Sequence, residues 1–156
     1  MHSLSRRRAL STAGAVVALS ILMLSGCERT RTVTYKGVDL TGATYATDIR
    51  LSDPDGNERT LADFRGKAIL VFFGFTQCPD VCPTALARAA EVKRLLGPDG
   101  ERFQTLFVTV DPERDTPEVL KAYTAAFDPS FIGLYGDLER TAQIAKDFKV
   151  YYKKVP

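Results

Sequence analysis

The sequence has no tryptophan, one histidine (His2) and three cysteines, Cys27, Cys78 and Cys82, in 156 residues. These shortages exclude much. Structural zinc takes four nitrogen or sulfur ligands, which the chain beyond its first residues does not offer. A cysteine-held iron–sulfur cluster fails on the same count, and the Cys-x-x-Cys-His run for covalent haem is absent. With the one histidine at position 2, a histidine-based catalytic triad in the remainder of the chain is excluded. Long apolar runs are scarce as well. The uninterrupted apolar part of the stretch before Cys27 is shorter than the ~20 residues a bilayer-spanning helix needs.

What stands at the start has the layout of an export signal: Arg6, Arg7 and Arg8, then apolar and small residues through Leu24. Leu24-Ser25-Gly26-Cys27 resembles the lipobox of bacterial lipoproteins, in which the cysteine is lipidated and becomes the new N-terminus. The diacylglyceryl group is attached there as a thioether, which requires a thiol. The resemblance implies a signal peptide over 1–26, lipidation at Cys27, and a cell-membrane location with the domain facing the periplasm, anchored by lipid. That is the oxidising side, where disulfides form. Cleavage before Cys27 removes three arginines and no acid, leaving 18 basic residues against 19 acidic ones. The mature chain is then close to neutral. No basic patch is interleaved with aromatics, so no nucleic-acid partner is expected.

Residues 27–45 are polar, carry Thr and Gly, and read as a tether. Residues 46–156 are the size of one small domain, without internal repeats. Ile49 and Leu51 alternate with polar residues ahead of an Asp55-Gly56 turn, predicting a small hairpin. "AILVFFGF" is continuously apolar, as expected of a central strand buried on both faces. Pro83 suits a first helical position, and Leu86, Ala89, Val92 and Leu96 follow at helical spacing until Gly97-Pro98. "FQTLFVTV" is a second strand. Thr116 and Pro117 open a second helix with Leu120, Tyr123 and Phe127 inward. "FIGLY" is a third strand, and Asp137 caps a helix striped with Leu138, Ala142, Ala145 and Phe148. Strands alternating with helices predict an α/β sheet with parallel crossovers.

Cys78 and Cys82 stand four apart where a strand ends and a helix begins. Free N–H groups at a helix start favour a thiolate there, and a helix-like turn brings positions four apart to one side. Three readings follow from the residues: a structural disulfide, a redox couple, and a two-sulfur grip on copper. The disulfide would close too short a loop to restrict the unfolded chain much. Copper is the metal compatible with two ligands, because Cu(I) is soft and tolerates low thiolate coordination.

"FFGFTQCPDVCPTAL", "LFVTVDPERDTPEVL" and "AKDFKVYYKK" resemble, in order and spacing, the Sco/SenC family of copper-handling proteins. The resemblance runs from about Asp39 to Pro156. It implies a thioredoxin-like fold, a central mixed sheet flanked by helices, with Cys78 and Cys82 as copper ligands and as a redox-active pair. It implies a part in metallating the binuclear copper site of cytochrome c oxidase. The chain would either deliver copper or act as a thiol–disulfide reductant or redox sensor towards that site's cysteines. The implied partners are the oxidase's copper-site subunit and a periplasmic thiol reductant or copper donor. A metallochaperone without turnover is the leading form of this expectation. Asp111 and Asp115 match the family's second motif and are read as a turn and a helix start. The family's third copper ligand is a histidine in a hairpin following the segment that matches Val150–Lys154. The sequence stops at Pro156, ahead of that hairpin and a closing helix. The expectation is a piece of a longer protein, binding Cu(I) but lacking the imidazole that Cu(II) prefers.

Overall fold

The structure is a computed structural model that describes residues 36–154. The chain divides into two compact units, Met1–Leu40 and Thr41–Pro156. The described part of the first, residues 36–40, has neither helix nor strand.

In the second unit, the alternation at Ile49 and Leu51 leads into a hairpin of β1 (Leu51–Ser52) and β2 (Glu58–Arg59), paired antiparallel. Asp53 fastens its turn. Its Oδ1 accepts from the N–H groups of Asp55 (3.0 Å) and Asn57 (2.9 Å), and its Oδ2 accepts from Arg59 Nε (2.8 Å). Gly56 takes φ 84°, a conformation that glycine adopts without strain. Burial pushes the Asp53 carboxyl up, but the Asn57 N–H, Arg59 and the Asn57 amide together hold it below its ordinary 3.8. We expect Asp53→Ala to cost about 2–3 kcal/mol, since it leaves turn donors and Arg59 without their shared acceptor. The folded pKa lies below the unfolded one, so this contribution is complete above about pH 5 and fades as pH falls through the folded value. Urea melts of both proteins at pH 7 and pH 3 check this: the gap between them should narrow in acid.

A short 3-10 turn, Leu61–Phe64, leads to β3 (Ala68–Gly74). The helix α1 (Val81–Leu95), strand β4 (Phe103–Thr109), helix α2 (Pro117–Ala125), strand β5 (Ile132–Leu134) and helix α3 (Leu138–Asp147) follow. The three strands pair in parallel in the order β3-β4-β5, Leu70 facing Thr105 and Phe107 facing Gly133. Ser52 and Tyr135 exchange two backbone hydrogen bonds of 2.9 Å, an isolated antiparallel bridge that joins the hairpin to the end of β5.

Alternation along the strands divides the core between two faces. Leu106 and Val108 of β4 pack with Ile49, Leu51, Phe64, Leu134 and Ile144 on the hairpin and α3 side. Phe107 packs with Cys82, Leu86, Ala89, Leu120 and Phe131 on the α1 and α2 side. Full burial of a side chain such as Phe107 contributes about 1.5–3 kcal/mol.

Three expectations need correcting. The central strand of the described sheet is β4, buried from Gln104 to Thr109, whereas β3 lies at the edge with Leu70 36% exposed. An apolar run signals burial but does not say which neighbour a strand will have. On α1 the buried stripe is Cys82, Leu86 and Ala89, while Val92 and Leu96 are exposed, Val92 lining an open groove with Leu70, Phe72 and Phe103 beside the edge strand. On α3 the buried face is Thr141, Ile144 and Ala145, with Leu138 and Ala142 exposed. The caps stand where expected: Thr116 accepts from Val119 N–H and Asp137 from Arg140 N–H.

Candidate metal and redox site

The two cysteines come together where β3 hands over to α1. After Gly74 the chain turns, and the N–H of Cys78 donates to the Phe75 carbonyl at 3.2 Å. Asp80 takes the N-cap position and α1 begins at Val81, two residues before Pro83. Pro83 therefore occupies the third helical position rather than the first, where its missing N–H still has no intrahelical acceptor to lose. Cys82 lies in the first turn, and its N–H, left free by the helix, donates to Cys78 Sγ at 3.4 Å. Four residues of separation thus close into one turn, with both sulfurs on the same side.

The two thiols differ in environment. Cys78 is partly exposed, and its thiol is held below the ordinary 9.0. The hydrogen bond with the Cys82 thiol lowers it most; burial opposes, and the N–H groups of Cys82, Asp80 and Val81 lower it further. Cys82 is 5% exposed and continues the α1 stripe of Leu86 and Ala89. Burial, then its hydrogen bond with Cys78, pushes its thiol up to about 11. Such a pair can present one thiolate to a disulfide or metal while the second sulfur stays protonated and sheltered. Neutral alkylating reagent at pH 7.5 should therefore modify Cys78 at least about tenfold faster than Cys82, because only the thiolate attacks. Timed peptide mapping checks the order; equal rates would contradict the asymmetry.

Gly74 and Asp115 complete the surroundings. A Cβ at Gly74 would meet Cys82 Sγ at 2.8 Å, Phe107 Cε2 at 3.0 Å and Phe72 Cε1 at 3.1 Å, so the missing side chain is the space the sulfur occupies. Asp115, read from sequence as the start of a helix, is 2% exposed and accepts three hydrogen bonds. Two come from the Thr76 N–H (3.0 Å) and hydroxyl (2.6 Å), and one from the Thr109 hydroxyl (2.6 Å). Asp111 pairs with Arg114 at the surface side of the same loop. The hydroxyl of Tyr123 is buried on the same side of the sheet and finds no hydrogen-bond partner among the described residues. Burial, then the charges of Cys82 and Cys78, pushes it up to about 12. The signal for Asp115 was faint: two threonines at the same ends of two strands, and an acid beside an N-cap.

Among the described residues, no group of three or more His, Cys, Asp and Glu is placed to hold a metal ion. The donor set at this site is the two sulfurs. Two sulfurs suit a soft, low-coordinate ion. Cys27 lies outside the described residues. No described helix is long and apolar enough to cross a membrane.

A parallel βαβαβ unit with one cysteine in the loop after its first strand and the other in the first turn of the following helix gives the chain a thioredoxin-like fold with a dithiol site. Residues 39–156 match the SCO1/SenC family. The chain belongs to that family. It is 44% identical over 111 residues to the mitochondrial SCO2 homolog of Bos taurus, covering 70% of this chain and 42% of that protein. It thus spans less than half the length of that curated relative. Among solved structures, copper-bound ScoI of Bradyrhizobium japonicum is 45% identical, with TM-score 0.65 over 70% of this chain and 69% of that one. Apo Sco1 of Thermus thermophilus is 44% identical, with TM-score 0.67 over 80% and 72%.

Proposed function

We propose that this protein binds Cu(I) as cargo between Cys78 and Cys82 and helps to assemble the copper site of cytochrome c oxidase. The observation that carries the proposal is the pairing of a poised, partly exposed sulfur with a buried one in a single turn, joined by the Cys82 N–H. The copper-bound relative and the family membership support it. Copper enters by displacing protons, and the Cys82 proton must leave although its thiol sits near 11. Apparent Cu(I) affinity should accordingly climb about tenfold per pH unit where Cys82 alone gives up its proton, and more steeply below the Cys78 pKa. Competition titrations at pH 6, 7 and 8 test this. A flat profile would mean that copper is not held by these two thiols.

A second reading rests on the same asymmetry. The Cys78 thiolate can attack a partner's disulfide, and the Cys82 thiol can then resolve the mixed disulfide. The partner leaves as a dithiol and the pair as a disulfide. An external dithiol must then return two electrons. The copper-site subunit of the oxidase is the proposed partner in both readings.

The proposal includes anchoring to the outer face of the cell membrane through lipid on Cys27, supported by the Leu-Ser-Gly-Cys ending of an export-like segment. Labelled palmitate should enter the full-length protein in cells and fail to enter Cys27→Ser. Equal labelling of both would remove the anchor.

A further inference from the structure

The β3–α1 loop that carries Cys78 makes its side-chain attachment to the sheet through one buried carboxyl. Asp115 Oδ2 accepts from the Thr76 N–H and from the Thr109 hydroxyl, while Oδ1 accepts from the Thr76 hydroxyl. Thr76 stands two residues before Cys78, and Thr109 is the last residue of β4. The carboxyl therefore bridges the cysteine loop to the central strand. Its own backbone is fixed too, because the Asp115 N–H donates to the Asp111 carbonyl at 3.0 Å. Cys82 is placed differently, by the α1 stripe and the space over Gly74. One sulfur is positioned by a helix, the other by a hydrogen-bonded clamp.

We propose that Asp115 is a positioning residue for the dithiol: through Thr76 it holds Cys78 beside Cys82, so that the pair meets one soft ion, or closes into a disulfide, without loop reorganisation. The inference rests on the reading of Cys78 and Cys82 as the working pair. It assigns to Asp115 no contact with copper. The chemistry of the clamp sets which variants should fail. Asparagine can reproduce it, with its carbonyl oxygen in the place of Oδ2 and its amide donating to the Thr76 hydroxyl, which rotates to accept. Alanine cannot, and it leaves the partly buried Thr76 N–H without its acceptor.

A metal-free equilibrium reads the positioning directly. The pair passes two electrons and two protons to one oxidised glutathione; one S–S bond forms, one breaks, and two glutathione thiols are released. The full chain carrying Cys27→Ser, equilibrated in glutathione buffers and quenched by alkylation, gives the constant for this exchange. Asp115→Ala should shift it about tenfold toward the dithiol, because the effective concentration of one thiol at the other falls when the loop loosens. Thr76→Val, which keeps the N–H bond, should shift it about threefold, and that shift should vanish when Asp115 is already alanine. Asp115→Asn should stay within about twofold of the parent, since it restores the same bonds. Asp53→Ala, which weakens the fold at the hairpin, should leave the constant unchanged. Cu(I) affinity should follow the same order.

If Asp115→Ala does not fold, Thr76→Val and Asp115→Asn still decide the matter. A Thr76→Val constant equal to the parent's overturns the clamp, and so does an Asp115→Asn constant shifted about tenfold toward the dithiol. An Asp53→Ala shift as large as that of Asp115→Ala would show a general loss of stability instead. If the parent chain itself forms no disulfide and takes no Cu(I), the reading of the cysteine pair fails, which is a separate outcome.

Discussion

Alanine at either Cys78 or Cys82 should weaken Cu(I) binding by roughly 100- to 1,000-fold, and alanine at both should abolish it. The magnitude follows from what metal–ligand bonds contribute in protein sites. Structural zinc sites gain about 10–16 kcal/mol over four ligands, or about 2.5–4 kcal/mol each. A site with two sulfurs and no further His, Cys, Asp or Glu cluster among the described residues has nothing to replace the lost ligand. The two single variants should nevertheless differ. Cys82→Ala leaves the partly exposed Cys78 sulfur, which loses the hydrogen bond of the Cys82 thiol but keeps the N–H groups of residues 80–82, and can still take copper loosely together with a ligand from solution. Cys78→Ala leaves a buried thiol pushed up by its surroundings, the poorer remnant. Competition against a chromophoric Cu(I) chelator measures both, with Cys27→Ser as the variant that should not change. Parent-like affinity in Cys78→Ala would refute the two-sulfur site.

Gly74→Ala should both destabilise the domain and disturb the dithiol. The glycine is required for space, since its φ is not among the positive ones. The added Cβ meets the Cys82 sulfur and the rings of Phe107 and Phe72 at 2.8–3.1 Å. None of the three can retreat freely. Cys82 and Phe107 are buried, Phe72 stacks on Phe107 with ring centroids 6.1 Å apart, and Gly74 itself is held by the Val110 N–H on its carbonyl at 2.8 Å. Overpacking of this kind costs about 1–3 kcal/mol, and crowding on three sides places this position near the upper end. A domain of this size should lose about 10 °C in melting temperature. The displaced sulfur should also lower Cu(I) affinity, which a simple loss of packing elsewhere would not do. A melting temperature within about 2 °C of the parent and unchanged copper affinity would show that the sulfur does not lie over this glycine.

Local rules carried the fold a long way. The hairpin turn at Asp55-Gly56, the caps at Thr116 and Asp137 and the order of strands and helices follow from residues a few positions apart, and the structure has them. Sheet position does not follow from such rules. β3 and β4 are both apolar runs, and only their pairing with β5 makes β4 central. Helical stripes predicted at Val92, Leu96, Leu138 and Ala142 failed where a helix lies over an uncovered edge strand or turns another face to the sheet. At the site, the spacing of Cys78 and Cys82 at a strand-to-helix junction was readable, whereas the helix start expected at Pro83 lies at Val81, between the two cysteines. Their unequal burial was half readable, since Cys82 stands four residues before Leu86 on the same stripe. Gly74 was not readable and Asp115 only faintly so, because their roles depend on atoms brought close by folding: a sulfur over a strand glycine, and a loop threonine beside the end of β4.

The most direct test of copper held by this pair is native mass spectrometry of the full chain in a Cys27→Ser background, with the remaining two cysteines either reduced or joined. The reduced chain should carry one Cu(I), its mass showing copper in place of displaced protons, and the disulfide form should carry none. Copper retained equally by the disulfide form would contradict the account.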